Sequence, residues 1–350
     1  MRRLLWPLAS LYGAAVWLHH KQYDWGLRRT VRFDLPTIGI GNLAVGGSGK
    51  TPLVEYLLGL LVPHKRVGVL SRGYGRSTRG FRWVMPDASY IQVGDEPLQV
   101  KRKFPEVAVA VCEDRVTGIP LMLIDQPELE VIILDDVFQH RAITPGLSLL
   151  LTDYHRPYWT DHLLPVGDLR EPISAARRAD VVLVTKCPEN MRADQKAQLW
   201  SAAKLDDRQQ LLFCSIRYGV PYGLFSGMPL DKSKHDLAIL VTGIAKSRLL
   251  KDYLEEHYNR IKHFNYVDHY RFKKTDIQRW LKEFQVHKSP NQVILTTEKD
   301  AMRLLPYRSL FDQAGTEPFC IPIYVYFEGE QAERFNQLVL SFVATTAEDD

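Results

Sequence analysis

The stretch "GNLAVGGSGKTP", residues 41–52, decides the fold of this chain. An apolar run typical of a buried strand precedes it at residues 36–42, and apolar residues at helical spacing follow it at residues 51–61. A strand, a glycine-rich turn, a Lys-Thr pair and a helix, in this order, are the context of a phosphate-binding loop. One position departs from the usual G-x-x-x-x-G-K-[ST] pattern, because Ala44 stands where the first glycine is expected.

The groups that contact phosphate are nevertheless all present. Glycines allow backbone N–H groups to point at phosphate oxygens, and the helix N-terminus adds the positive end of its dipole. Lys50 can reach the β- and γ-phosphates of a nucleotide, and the Thr51 hydroxyl can bind Mg²⁺. We therefore predict a nucleotide site formed by Ala44, Val45, Gly46, Gly47, Ser48, Gly49, Lys50 and Thr51.

Proteins with this loop need a metal-holding acid at the end of a neighbouring strand. Residues 131–134 form a wholly apolar run of the parallel-sheet kind, and Asp135 and Asp136 follow it directly. Other strand-like runs alternate with helical segments, at residues 65–75, 106–111, 147–153 and 179–186. The sequence thus predicts an α/β fold, a P-loop NTPase-like doubly wound parallel sheet with functional residues at the carboxyl ends of its strands.

The predicted nucleotide carries adenine rather than guanine. Guanine-specific members place N-K-x-D after a late strand, whereas residues 185–188 read Thr-Lys-Cys-Pro and offer no acid to the guanine edge. ATP is therefore the expected substrate. Lys186 can stack over adenine, although we favour a solvent-facing lysine at the strand end for this residue.

Composition and charge describe an ordinary globular chain of 350 residues, with 45% hydrophobic residues and a net charge of +4. The four cysteines are far apart and match no zinc-binding spacing, which indicates buried thiols in a reducing compartment. The charge is concentrated in residues 1–33, which hold six Lys and Arg residues and one Asp. Such a region favours an anionic partner.

An apolar segment, residues 4–18, lies within this basic region. It lacks the small-residue cleavage site of a signal peptide, and it is too short to span a bilayer. An amphipathic helix lying in the membrane surface, with Trp6 and Trp17 at headgroup depth, fits best. A helix packed on its own domain fits the same pattern.

A second α/β unit is expected after a segment rich in Gly, Pro and Lys, because new apolar strands follow at residues 237–243 and 292–298. We predict four regions along the chain: a membrane-associating helix region (1–32), a P-loop kinase domain (33–232), a smaller C-terminal α/β domain (233–344) and a disordered tail (345–350).

Eight short polar clusters extend beyond the nucleotide motifs. In order they are "SRGYGR" (71–76), "VGDEP" (93–97), "CEDR" (112–115), "DDVFQHR" (135–141), "LLPVGDLREP" (163–172), "VTGIAKS" (241–247), "DHYRF" (268–272) and "TTEKDAMRL" (296–304). In this order and spacing they resemble the tetraacyldisaccharide 4′-kinase family. The resemblance implies a kinase that uses ATP and Mg²⁺ to phosphorylate a glycolipid precursor of lipid A. It implies a location at the cytoplasmic face of the bacterial inner membrane, as a peripheral or monotopic protein.

The resemblance also implies roles for individual residues. Asp95 matches the family's proposed base, His269 matches the partner that holds and tunes it, and Lys50 and Arg115 complete the implied catalytic set. The implied metal ligands are Thr51, Asp135, Asp136 and Glu96, and the other implied active-site positions are Gln139, His140 and Arg72.

The chain departs from the family pattern at Val137, at Ser247 and at Thr160-Asp161, which puts local loop conformation in doubt but removes no ionisable group with an implied role. A second class of function stays open on the residues alone, namely a P-loop ATPase switch of the metal-delivery or protein-targeting type. It shares the loop and the paired acids, but it does not explain the N-terminal helix. No nucleic-acid partner is expected, and the sequence leaves the oligomeric state open.

Overall fold

The computed structural model describes residues 5–231, 236–287 and 292–345. A large eight-stranded sheet organises the first part of the chain, in the order β3-β4-β2-β5-β1-β6-β7-β8. All its pairs are parallel except β3 with β4. The strands are β1 (Thr37–Asn42), β2 (Val67–Ser71), β3 (Arg82–Trp83), β4 (Ala108–Val111), β5 (Val131–Leu134), β6 (Leu147–Asp153), β7 (Val181–Thr185) and β8 (Gln210–Phe213).

Helices cover this sheet, so its central strands are buried along their whole length. Burial on both faces explains why these strands read as unbroken apolar runs rather than as alternating patterns. The helices of this part are α1 (Trp6–Asp24), α2 (Lys50–Leu61), α3 (Tyr90–Val93), α4 (Asp95–Lys103), α5 (Arg115–Asp125) and α6 (Ala193–Ala203). The predicted doubly wound P-loop architecture is confirmed.

A second, five-stranded sheet follows, in the order β10-β14-β13-β11-β12. Its strands are parallel except for the β10–β14 pair. The remaining elements of the chain are β9 (Ser215–Tyr218), β10 (Tyr222–Gly223), β11 (Leu237–Thr242), α7 (Arg248–Glu255), β12 (Arg260–Asn265), α8 (Lys274–His287), β13 (Gln292–Thr297), α9 (Glu298–Met302), α10 (Arg308–Gln313), β14 (Pro318–Ile321), β15 (Ile323–Tyr326) and α11 (Glu330–Thr345).

Two strands connect the sheets. β9 leaves the first sheet and pairs antiparallel with β15, which returns from the second sheet. After β15, helix α11 packs on the first sheet again, where its buried Phe335 lies against Tyr56 of α2. The Tyr56 hydroxyl donates to Asn336 Oδ1 at 2.8 Å. The predicted division at residue 233 lies outside the described residues, as do residues 346–350 of the predicted tail and the first residue of the predicted apolar segment, Leu4.

The predicted N-terminal helix is present as α1, and one side of it packs on the P-loop domain. Ala9 is buried, and the Tyr12 hydroxyl donates to the carbonyl oxygen of Arg170 at 2.7 Å. His20 Nε2 lies 3.0 Å from a carboxylate oxygen of Glu171. Its other side leaves large apolar side chains exposed, namely Trp6, Leu8, Leu11, Trp17 and Leu18. Within the described ranges no helix is both long and apolar enough to cross a membrane.

Candidate active site

The site lies at the carboxyl end of β1, where the strand order reverses: β2 to β5 lie on one side of β1, and β6 to β8 lie on the other. Such a switch point is where open α/β sheets bind ligands. A cavity of about 390 Å³ opens there between the two sheets. All eight predicted loop residues line it. So do Ile216 and Tyr218 of β9, in the β9–β15 ribbon that connects the two sheets. The second domain contributes His269, from the loop after β12, and Lys299 of α9.

The backbone conformation of the loop shows why alanine is compatible with position 44. Gly46 and Gly49 have φ angles of +105° and +91°, a left-handed backbone that only glycine adopts at low cost, and Gly49 starts α2. Ala44 is not among the residues with positive φ, and it forms a bridge with Leu169. Alanine is tolerated there because that position needs no glycine conformation.

The loop is held from below by the end of β7. The Thr185 hydroxyl donates to the carbonyl oxygen of Ser48 at 2.8 Å, and Lys186 Nζ donates to the carbonyl oxygen of Gly47 at 2.6 Å. Lys186 also lies 2.9 Å from Asp153, and its side chain is only 13% exposed. The preferred interpretation of Lys186 as solvent-facing is therefore wrong, because its ammonium bridges Asp153 and the loop backbone.

Lys50 projects from the first turn of α2 toward the acids after β5. Its Nζ lies 3.5 Å from Asp136 Oδ1 and 3.3 Å from Asn42 Oδ1. Arg170 Nη2 lies 3.3 Å from the same oxygen of Asp136. Burial opposes ionisation, but these two cations outweigh it and lower the pKa of Asp136 to about 2. Asp136 is therefore an anion that orients the two positive groups of the phosphate site.

Asp135 has the opposite electrostatic environment. Burial, followed by repulsion from Glu96 and Asp136, raises its pKa to about 6. Its Oδ2 accepts a hydrogen bond from Ser71 Oγ at 3.1 Å, while Oδ1 is buried and has no hydrogen-bond partner among the described residues. A buried carboxylate that combines a raised pKa with an unpaired oxygen is the kind of group that a cation stabilises.

The donor set therefore fits Mg²⁺. Among residues 5–231, 236–287 and 292–345, no cluster of three or more His, Cys, Asp or Glu side chains forms a protein-only metal site. Mg²⁺ rarely needs one, since it usually takes one or two protein oxygens and completes its shell with waters and phosphates. Thr51 on the cavity wall and Asp135 behind it match that requirement.

Asp95 and His269, separated by 174 positions, are brought together across the two domains. His269 Nδ1 lies 3.1 Å from Asp95 Oδ2. Asp95 is 4% exposed at the start of α4, and its other oxygen accepts from the Glu96 backbone N–H at 3.0 Å. Burial raises the pKa of Asp95, but the hydrogen bond from His269 and the charges of Lys299 and Arg303 outweigh it and lower the pKa below its usual value. The carboxylate is thus anionic and held from the second domain.

His269 itself is fixed by backbone and ring contacts. Its φ is +56°, an uncommon conformation for a residue with a side chain, and its N–H donates to the carbonyl oxygen of Gly243 at 3.0 Å. Its ring lies 4.8 Å from that of Tyr74, which projects from the "SRGYGR" loop of the first domain. His269 lines the cavity, whereas Asp95 lies behind it.

Sequence reasoning named the cluster "TTEKDAMRL" but gave none of its residues a role. In the structure it spans the end of β13, all of α9 and the two residues after it, and its charged side chains reach the first domain. Lys299 Nζ lies 3.0 Å from His269 Nε2 and 3.2 Å from Glu96, while Arg303 Nε lies 3.5 Å from Asp95. The available signal was four charged residues within six positions directly after an apolar strand.

Glu298, the first residue of α9, joins a buried charge cluster at the back of the cavity. Lys103 Nζ lies 2.6 Å from Glu55 of α2 and 3.0 Å from Glu298. The Tyr222 hydroxyl donates to Glu298 at 2.9 Å. Burial, followed by repulsion from Glu298, raises the pKa of Glu55 to about 7. The helix that follows the phosphate loop is thereby connected to the second domain.

The other predicted residues lie around the acids rather than on the cavity wall. Arg115 is buried and donates to the carbonyl oxygens of Asp135 and Asp136, at 3.1 and 3.0 Å. Gln139 Nε2 donates to the carbonyl oxygen of Asn42 at 2.9 Å. His140 Nε2 lies 3.4 Å from Asp114, and Arg72 is exposed. Arg115 and Gln139 therefore hold the backbone on which the acids and β1 end.

Comparison with known proteins gives a consistent result. A family model described as "Tetraacyldisaccharide-1-P 4'-kinase" matches residues 1–343. The tetraacyldisaccharide 4′-kinase of Bacteroides thetaiotaomicron is 39% identical to this chain, over 98% of this chain and 93% of its own length. That of Phocaeicola vulgatus is 40% identical, over 98% of this chain and 95% of its own length. The crystal structure of LpxK from Aquifex aeolicus in complex with ATP is similar with a TM-score of 0.74 and 28% identity, over 98% of this chain and 99% of that one.

The loop geometry predicts opposite outcomes for two matched substitutions. Gly49→Ala forces a side chain into left-handed backbone at a cost of about 1–2 kcal/mol, so kcat/KM for ATP should fall roughly tenfold. Ala44→Gly should change that ratio by less than about twofold, because position 44 needs no left-handed backbone. Steady-state kinetics with varied ATP measure both. A neutral Gly49→Ala variant, or a clear gain from Ala44→Gly, would contradict this account of the loop.

Proposed function

The chain belongs to the tetraacyldisaccharide-1-phosphate 4′-kinase family. From that membership we propose which residues bind the phosphates, which hold the metal ion and which accept the substrate proton. The enzyme transfers the γ-phosphate of ATP to the 4′-hydroxyl of a tetraacyldisaccharide 1-phosphate, a step of lipid A biosynthesis. Membership decides against the alternative of an ATPase switch. The observation that carries the assignment to this site is that the phosphate loop and His269, which contacts Asp95 at 3.1 Å, line one cleft.

The first domain supplies the charge that phosphoryl transfer requires. In the transition state, charge spreads over the equatorial oxygens of the moving phosphoryl group, and positioned cations and N–H groups stabilise it. We assign Lys50, the loop N–H groups and the start of α2 to this role. Asp136, 3.5 Å from Lys50 and 3.3 Å from Arg170, orients both cations toward the phosphates.

We assign Mg²⁺ to Thr51 and Asp135. When bound there, the ion would neutralise charge on the β- and γ-phosphate oxygens. The two other implied ligands are already engaged, Asp136 by Lys50 and Arg170, and Glu96 by Lys299 at 3.2 Å. Arg115 supports the metal-side acids through their backbone.

The proton of the 4′-hydroxyl goes to the Asp95–His269 pair in our proposal, with Asp95 as the acceptor and His269 as the group that holds it. As the sugar oxygen bonds to the γ-phosphorus, the bond from that phosphorus to the β,γ-bridging oxygen breaks and ADP leaves. The O–H proton passes to the pair in the same step. Because the phosphate loop and Asp95 lie on the first domain while His269, which holds Asp95, lies on the second, productive geometry requires the cleft to be closed.

Attachment to the inner-membrane surface is assigned to α1. Its packed side anchors it to the 162–171 segment, while Leu8 and Leu11 are 55% and 69% exposed. Exposed Leu and Trp side chains beside a basic segment suit an anionic lipid surface. The helix would thereby hold the cleft near a glycolipid whose acyl chains stay in the bilayer.

The proposed reaction is tested by direct transfer. Purified protein, ATP and Mg²⁺ should convert a monophosphorylated acylated disaccharide to its bisphosphate with stoichiometric ADP. Lys50→Ala should lower kcat by roughly two to three orders of magnitude, because it removes transition-state charge stabilisation. Lys65→Ala, which removes a surface ion pair with Glu130, is the matched control and should keep normal turnover. ATP hydrolysis without lipid phosphorylation would refute the kinase assignment.

The proton acceptor predicts non-additive losses. Asp95→Ala and His269→Ala should each lower kcat steeply with little change in KM for ATP, because neither side chain belongs to the phosphate loop. The double variant should be little worse than the poorer single variant, since the two residues act as one unit. Single-turnover kinetics of the four proteins measure this. Losses that multiply in the double variant would show that the residues act independently.

Membrane attachment predicts that Leu8→Asp combined with Leu11→Asp weakens binding to anionic phospholipid vesicles by at least about tenfold, because buried apolar area is lost and negative charge is added. ATP binding should be unchanged, since both side chains are exposed and neither lines the nucleotide cavity. Gln198→Asp with Ser201→Asp adds the same charge to exposed positions of α6 and serves as the control. Equal sedimentation of both variants with vesicles would exclude α1 as the anchor.

A further inference from the structure

Lys299 occupies an unusual place for a lysine, inside a cluster of acids and against an imidazole. Its side chain is 19% exposed and lines the cavity. Its Nζ lies 3.2 Å from Glu96, 3.5 Å from Asp268 and 3.0 Å from His269 Nε2. A lysine is ordinarily protonated at neutral pH, and contacts with two carboxylates favour that form, so the side chain is an ammonium group.

This contact fixes the position of the proton on His269. An ammonium group can only donate hydrogen bonds, so the imidazole nitrogen that it meets, Nε2, must be the acceptor. The single proton of the neutral ring is then on Nδ1, where it is donated to Asp95 Oδ2 at 3.1 Å. Which nitrogen of a histidine carries the proton is set by the hydrogen bond at the other nitrogen.

Without Lys299 the surroundings of His269 would favour a second proton. Asp95 contacts Nδ1, and Asp268 Oδ2 lies 3.9 Å from Nε2. Glu96 belongs to the same cluster through Lys299, and Arg303, 3.5 Å from Asp95, is the other cation there. The carboxylates of Asp95 and Asp268 beside one imidazole stabilise an imidazolium, which would pair with Asp95 as a full ion pair and weaken it as a proton acceptor.

We propose that Lys299 is a positioning residue for phosphoryl transfer, which keeps His269 neutral by excluding a proton from Nε2 and thereby leaves Asp95 free to accept the substrate proton. The proposal rests on the proton-acceptor role given above to Asp95 and His269. It assigns to the "TEKD" segment a function in the reaction itself, in addition to its contacts between the domains. Lys299 acts through His269 and needs no contact with substrate.

The test reads the ring directly, in protein labelled with ¹⁵N-histidine at pH 7. Long-range ¹H–¹⁵N spectra should show His269 with a protonated Nδ1 and an unprotonated Nε2, the signal being assigned by its loss in His269→Ala. In Lys299→Met both nitrogens should be protonated. Lys262→Met, which removes an ion pair with Glu283 in the same domain, is the matched control and should leave the His269 signals unchanged.

Kinetics provide the second arm. Lys299→Met should lower kcat by roughly ten- to a hundredfold and leave KM for ATP within about twofold. Combined with His269→Ala it should add no further loss. If Lys299→Met does not fold, Lys299→Ala removes the ammonium together with its aliphatic stem and is read in the same way.

The outcomes separate this proposal from the one it rests on. A wild-type Nε2 that already carries a proton, or an Nε2 that stays unprotonated in the folded lysine variant, would overturn the role of Lys299 whatever the activity. Multiplying losses of Lys299→Met and His269→Ala would overturn it as well. If instead Asp95→Ala and His269→Ala retain full turnover, the proton-acceptor role fails, while the spectra still report whether Lys299 controls the ring.

Discussion

The structure depends on keeping one buried carboxylate ionised. Asp95 belongs to the first domain, but two of the groups that stabilise its charge, His269 and Arg303, belong to the second. Arg303 is in turn fixed by an ion pair with Asp300 and by the carbonyl oxygens of Gly243 and Tyr270. Leaving such a charge without partners costs about 3–5 kcal/mol. The electrostatic requirement of a single side chain therefore stabilises the arrangement in which the two domains meet at Asp95, which is also the arrangement that our proposed phosphoryl transfer uses.

Much of the first domain follows from local sequence, and much of the second from contacts that sequence does not show. The strand–loop–helix at residues 41–52 is encoded by apolar periodicity and glycines, so the phosphate loop was predictable from neighbouring residues alone. The position of Lys186 was not, because its partner Asp153 lies 33 positions earlier in the chain. The Asp95–His269 contact joins positions 174 apart, and only the family resemblance indicated it. No periodicity indicated that α11 returns to the first sheet, since an amphipathic helix fits either domain.

The N-terminal helix shows how one sequence pattern fits two interpretations, of which the structure shows the packed helix and leaves the membrane-surface helix a proposal. Apolar residues around most of its circumference allowed either a membrane-surface helix or a packed one. In the structure Ala9, Tyr12 and His20 contact the P-loop domain, while Leu8 and Leu11 on the remaining surface are exposed. A helix that had only to pack would not need tryptophans and leucines on its outer surface. The packed side fixes the direction in which the exposed side faces, so the attachment proposed for α1 would give the enzyme one orientation on the membrane.

The paired strands β9 and β15 have a mechanical consequence. Because the chain enters the second sheet through one and leaves it through the other, that sheet is carried as an insertion within the first domain, attached by two hydrogen-bonded strands side by side. A single linker permits rotation in any direction, whereas a two-stranded tether resists twisting and in-plane shear and bends most easily about an axis across the ribbon. Ile216 and Tyr218, which line the nucleotide cavity, lie on that ribbon. A nucleotide held in that cavity would contact the two-stranded ribbon at the point where it bends. Binding of the nucleotide and the angle between the two domains would then depend on each other.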